Sequence, residues 1–215
     1  MNTLPTTHRK SAGFTLVEMI GVLAVIAILA SLLVPRVFQA IGDSKINNAA
    51  STVNSIKSGV SEFYGRYGKI GGAGGTNLTV AVGTPSANWD STVLLREGFI
   101  EKPFSVRIGN GLIGSTAGGS HLQVVNILGN TNSPTALNGG AYNLDGANPA
   151  NDISGALLVE AVIEGVDPQD AKDFNDRIDG SSLGAALGSD DLLGRVKYDV
   201  TTNNTASVRV YIAHK

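Results

Sequence analysis

The sequence predicts an α+β protein in which a long, kinked amino-terminal helix, apolar at first and amphipathic afterwards, packs on an antiparallel β-sheet head. Three observations carry that expectation. Residues 14–34 form an apolar run in which Glu18 is the single charge. From Ile46 to Tyr67, apolar residues recur at alternating steps of three and four, the period of one helical face. Residues 195–201 and 206–213 alternate apolar and polar side chains around Asn203-Asn204, the pattern of an antiparallel hairpin.

Residues 1–13 read as a leader that is removed. Arg9 and Lys10 precede the apolar run, and the positive-inside tendency keeps that end cytoplasmic. A cleaved secretory signal places its small-residue site after an apolar region of about 7–15 residues. Here Ser11, Ala12 and Gly13 come before the run, so a cut at that point leaves the apolar helix on the mature chain. Residues 14–34 number 21, and at about 1.5 Å per residue such a helix spans the roughly 30 Å hydrocarbon core of a bilayer. Glu18 is anomalous there. An acid in the membrane costs about 2.5–3.5 kcal/mol at a helix centre and somewhat less near an end, so it calls for a partner. A cut after Gly13 frees the amine of Phe14 about one helical turn from Glu18, and a neighbouring copy's amine could pair with this carboxylate.

Pro35 removes a backbone donor and clashes with the preceding turn, which predicts a kink or local melting. Beyond it, Ile46, Ala49, Val53, Ile56, Val60, Phe63 and Tyr67 form one apolar stripe, with Lys45, Asn47, Asn48, Ser51, Asn54, Lys57 and Glu62 between them. About three heptads with few flanking charges favour packing on the chain's own sheet over a coiled-coil seam. Gly65, Gly68, Gly71 and Gly72 place the helix end between Tyr64 and Gly71. The GGAGG run at 71–75 reads as a flexible joint into the head. A short strand is expected over 76–83, and a short helix over 92–97, capped by Asp90 or Ser91 and closed by Gly98. Trp89, the only tryptophan, is expected in the core. Strand-like runs follow at 106–108, 122–128, 141–144 and 156–163. Asp167 as cap, Pro168 at the first helical position, Ala171, Phe174 and Ile178 on one face and Gly180 as terminator predict a helix. In the closing hairpin, Val196, Tyr198, Val200, Val208, Val210 and Ile212 are expected on a single buried face.

Gly13, Phe14, Thr15, Leu16, Val17 and Glu18 together resemble the processing signature of type IV prepilins and type II secretion pseudopilins, and Pro35 lies where that family commonly has a helix-kinking proline. The resemblance implies a pilin-like fold, cleavage between Gly13 and Phe14, and N-methylation of Phe14 by a prepilin peptidase. Glu18 would then recruit or register subunits during assembly. The implied organisation is a leader at 1–13, a stem helix at 14–67 with its membrane span at 14–34, and a head at 68–215. The implied partners are other copies or other pilins in a helical polymer, the peptidase and an inner-membrane assembly platform. The chain would sit in the inner membrane as a single-pass protein with its head in the periplasm. After assembly it would lie in an extracellular pilus or a periplasmic pseudopilus.

Composition narrows the remaining classes. Charged residues are 16% of the chain and glycines number 27 of 215, nearly twice the usual share of about 7%. Cleavage removes Arg9 and Lys10, leaving 14 basic against 18 acidic residues, so no basic nucleic-acid footprint is present. There is no cysteine, hence none of the disulfides that close the carboxyl-terminal region of many type IV pilins. His8, His121 and His214 are scattered, and no catalytic arrangement can be argued, so the chain reads as a non-enzyme. Asp167, Asp170, Asp173, Asp176 and Asp179 recur every three residues, which on a helix drifts around the surface rather than converging on one ion. No cofactor is expected; calcium in a head loop stays open, with Asp145, Asp190 and Asp191 as the better ligands. The larger head, the lack of an aspartate-rich carboxyl-terminal loop pattern and the retention of Glu18 favour a type IV pilus pilin. A pseudopilin of a type II secretion or DNA-uptake system is the alternative, and a membrane-anchored binding module comes third.

Overall fold

A computed structural model describes residues 13–82, 84–127, 142–146, 153, 157–200 and 205–215. The chain divides into two compact units, residues 1–41 and 42–215. Helix α1 is Leu16–Tyr67, and its assignment runs through Pro35 without a break, so the local melting expected there does not occur. The proline still withholds the donor that would reach the Ser31 carbonyl. Ser31 Oγ donates to the Ile28 carbonyl at 2.7 Å beside it. Unit 1 is the apolar part of α1, every described side chain of which is exposed.

In unit 2, α1 ends where expected. Gly68 takes φ +67°, a left-handed value that an L side chain resists, and its N–H bonds to the Tyr64 carbonyl at 2.7 Å. The predicted stripe is buried at Ile46, Ala49, Val53, Ile56, Val60 and Phe63, while Tyr67 is half-buried beside them. The stripe joins one apolar core with one face of a five-stranded antiparallel sheet. The strands are β1 (Ser86–Ala87), β2 (His121–Asn126), β3 (Leu157–Val166), β4 (Val196–Val200) and β5 (Ala206–His214), in the spatial order β1-β2-β3-β5-β4. A register shift on β3 between Ile163 and Val166 coincides with Gly165 at φ +68°, where a Cβ would lie 3.2 Å from Asn110 Cβ.

Helix α2 (Pro168–Ile178) has the predicted signals. The Asp167 carboxylate accepts from Gln169 N–H at 2.9 Å, Pro168 opens the helix, and Ala171 and Phe174 enter the core. Trp89 is in the core as well, with Nε1 donating to the Gly71 carbonyl at 2.8 Å. Ala73–Gly75 of the expected joint forms a 3₁₀ turn.

Several local expectations are corrected. Residues 76–82 form no strand: Val82 makes one isolated bridge to Asn126, β1 lies later, and Gly83 falls outside the described residues. The helical turn expected at 92–97 starts earlier, as a wide turn over Asp90–Leu94 in which Leu95 N–H reaches back five residues to the Asp90 carbonyl. Asp90 does not cap it. Its buried carboxylate accepts from Phe104 N–H and Leu122 N–H at 2.9 and 3.1 Å, tying that turn to the start of β2. Val106 and Ile108 are buried in the main core without pairing as a strand. In 141–144 only Tyr142 bridges, to Ile153; Ala141, Leu128, Ala156 and the Asn203-Asn204 turn lie outside the described residues.

In the hairpin, Val196, Tyr198, Val208, Val210 and Ile212 are buried in the main core and Val200 packs against it, as expected, but the opposite face of the sheet, expected in solvent, is covered as well. Val124 and Val159 point into the main core, while their neighbours Val125 and Leu158 join a second cluster with Ile127, Tyr142 and Ile153. Successive strand residues face opposite ways, so this cluster covers the other side of the sheet. Lys197 and Arg209, expected in solvent, are 0% and 6% exposed beneath it.

Candidate functional site

The site begins where an apolar helix must start without help from tertiary packing. Gly13, Phe14 and Thr15 precede α1, and its first N–H groups have no partners within the helix. Thr15 and Glu18 resolve this reciprocally. Glu18 N–H donates to Thr15 Oγ1 at 3.3 Å, while Thr15 N–H and Thr15 Oγ1 both donate to Glu18 Oε2 at 2.8 Å. This is a capping box, and its T-x-x-E spacing could have been read from the chain. The anomalous acid therefore has an intramolecular partner. Oε1 is engaged by none of these bonds.

Behind the box the apolar surface is continuous. Phe14, Leu16 and Val17 are 74–78% exposed, and Ile20, Leu23, Ile28, Leu32 and Phe38 are all exposed too. Among the described residues α1 is the one helix long and apolar enough to cross a membrane, and no part of its most apolar window is buried. Gly13, Phe14 and Glu18 thus come together at the helix start, whereas Pro35 lies 17 residues beyond Glu18 and shares no geometry with them.

The aspartates considered as calcium ligands are engaged otherwise. Asp191 is buried and accepts from Asn175 Nδ2 at 2.6 Å, Ala185 N–H at 2.8 Å and Leu193 N–H at 3.1 Å. Asp190 accepts from Val200 N–H at 2.8 Å. Asp179 receives Arg195 and Val196 N–H groups, yet burial pushes its carboxyl above the usual range. Asp145 is exposed and has a partner of its own. No group of three His, Asp or Glu side chains converges among the described residues.

A polar cluster on the second face of the sheet was not anticipated. Glu160 Oε1 accepts from Arg209 at 3.1 Å and from Gln123 Nε2, and Glu160 Oε2 accepts from Tyr142 OH at 2.8 Å. Lys197 Nζ stands 4.1 Å from the Tyr142 ring centroid. Burial pushes the Lys197 amine down to about 8, with Arg209 adding and Glu160 opposing. Burial and the Glu160 carboxylate push the Tyr142 hydroxyl well up. The available signal was Glu160 inside the otherwise apolar run 156–163, but its partners come from three other segments. His121 bonds the Gly119 carbonyl and His214 the Tyr211 hydroxyl, so neither joins this cluster.

Residues 8–34 match a family model described as the prokaryotic N-terminal methylation motif. Comparison with curated proteins and with solved structures returns no match. The matched segment contains Gly13, Phe14, the capping box and the first part of the helix fit to cross a membrane, and the antiparallel sheet follows it in the chain. Over residues 8–34 the chain thus carries an N-terminal methylation motif that matches the signature of type IV pilins and type II secretion pseudopilins.

Proposed function

We propose that the protein is a pilin of a type IV pilus, cut after Gly13 by a prepilin peptidase, methylated on the Phe14 amine and polymerised through its apolar stem. The observation that carries this reading is the wholly exposed apolar stretch of α1 that begins within the methylation motif. Such a surface needs an apolar medium at every stage, the bilayer before assembly and the stems of neighbouring copies after it. Glu18 suits both stages. Thr15 offsets part of the cost of an acid in the membrane, and Oε1 remains for the amine of an incoming Phe14. Pro35 supplies a point where the stem bends to follow its neighbours. Before assembly the head lies in the periplasm, opposite the basic leader residues Arg9 and Lys10.

A pseudopilin is the second reading, supported by the absence of the cysteines that many type IV pilins join. Electron microscopy of cells with and without the protein, with mass spectrometry of sheared material, tests both. The expected result is surface filaments that depend on this protein and contain a chain beginning at N-methylated Phe14. An intact Met1 start in assembled material would overturn the processing step, and filament-free surfaces with impaired secretion would transfer the assignment to a pseudopilus.

A further inference from the structure

Unit 2 carries a basic groove and an acidic surface that form no salt bridge with one another among the described residues. One is a groove of about 1130 Å³ between the α1 residues Asn48, Thr52 and Ser55 and the segment 98–107. Exposed Lys102 and Arg107 line it, together with Lys45 and a single acid, Glu101. Neither Lys102 nor Arg107 makes a salt bridge among the described residues. Leu112 and Ile113, about half exposed at 48% and 53%, follow Gly111 at the edge of this groove.

The other surface is the start of α2, where Asp167, Asp170 and Asp173 fall within two turns. Burial and the Asp167 carboxylate push the Asp170 carboxyl up, with Asp173 adding, and Lys45 partly opposes them. Asp173 is exposed, and among the described residues its carboxylate accepts one hydrogen bond, from Gln169 Nε2 of its own helix, at 2.8 Å. The segment after α2 packs against the last turn of the helix, since a Cβ at Gly184 would lie 2.5 Å from Asp176 Oδ1, and it exposes Leu187 at 55%. The groove therefore pairs basic side chains with exposed aliphatic ones, and the start of α2 offers acids.

We propose that these surfaces are the two halves of a contact between copies, the acidic start of α2 on one copy seating in the Lys102–Arg107 groove of the next. This rests on the filament reading and specifies how the heads lock. The surfaces differ, so the contact is head-to-tail, and repetition gives an open helix rather than a closed dimer. Opposite charges select that register and disfavour like-to-like contacts.

The chain has no cysteine, so one introduced pair reports the contact cleanly. Full-length protein bearing Lys102→Cys and Asp173→Cys is oxidised in whole cells, and a ladder of covalent multimers is expected; monomer alone overturns the contact. In parallel, Lys102→Glu with Arg107→Glu, or Asp170→Lys with Asp173→Lys, is expected to lower sheared filament yield at least tenfold at unchanged processing. The fourfold variant is expected to restore it. Unchanged yield in both reversed variants, with filaments present, overturns the contact but leaves the filament reading standing. A ladder in the envelope of cells that never make filaments keeps the contact and overturns the filament reading.

Discussion

Phe63→Ala tests whether the amphipathic half of α1 is integral to the head. Phe63 is fully buried, and its ring meets those of Tyr67, Trp89 and Phe99 at centroid distances of 4.9, 5.2 and 5.3 Å. Truncating a buried phenylalanine costs about 3–5 kcal/mol in lost transfer energy and residual cavity. The two edge-on contacts, to Trp89 and Phe99, argue for the upper half of that range. With a urea dependence of about 2 kcal/mol per molar, the unfolding midpoint falls by roughly 2 M. Trp89, the sole tryptophan and one of the ring partners, reports the transition by fluorescence on the detergent-solubilised chain. Glu62→Ala, one residue away on the exposed face, is the control and should stay within about 0.5 kcal/mol. A loss under about 1 kcal/mol at Phe63 would refute the packing argument, because it would mean the helix can leave the sheet at little cost.

Two further outcomes are expected. Glu18→Ala is cleaved after Gly13 yet yields no filaments without wild-type copies; Glu18→Gln, which keeps an acceptor for Thr15 but no charge, separates the two roles, and normal filaments from Glu18→Gln would show that the cap rather than an ion pair is what assembly needs. Stability should depend on pH through Lys197. Its amine is depressed from 10.5 to about 8 in the fold, so the unfolded chain binds the extra proton between those values and stability rises with pH above about 8, until tyrosine ionisation opposes it near 10. Urea midpoints measured from pH 7 to 10 should show that rise, and Lys197→Met should abolish it; a flat wild-type profile would count against a desolvated amine.

The elements legible in the sequence are those whose reason is local. The α1 stripe, the cap and apolar face of α2 and the alternation along β4 and β5 are each written in one stretch of chain, and each stands where its period placed it. Asp90 shows the limit: as a residue type at a turn it reads as a helix cap, and only the fold brings Phe104 and Leu122 N–H groups to its carboxylate instead. Lys197 and Arg209 misled for a related reason, because alternation gives the face of a strand but not whether another layer covers it.

By itself the sequence determined the amino-terminal methylation motif, the membrane-fit stem and an α+β fold, because a short motif, a bilayer span and a helical face are each written in contiguous residues. The tertiary structure alone decided what the charged groups do. It turned Glu18 towards Thr15, gathered Glu160, Arg209, Tyr142 and Lys197 from four segments under the second face of the sheet, and left Lys102, Arg107 and Asp173 outward without salt bridges among the described residues. Electrostatic pairing depends on distances through space, and those are set only when strands distant in sequence are brought side by side.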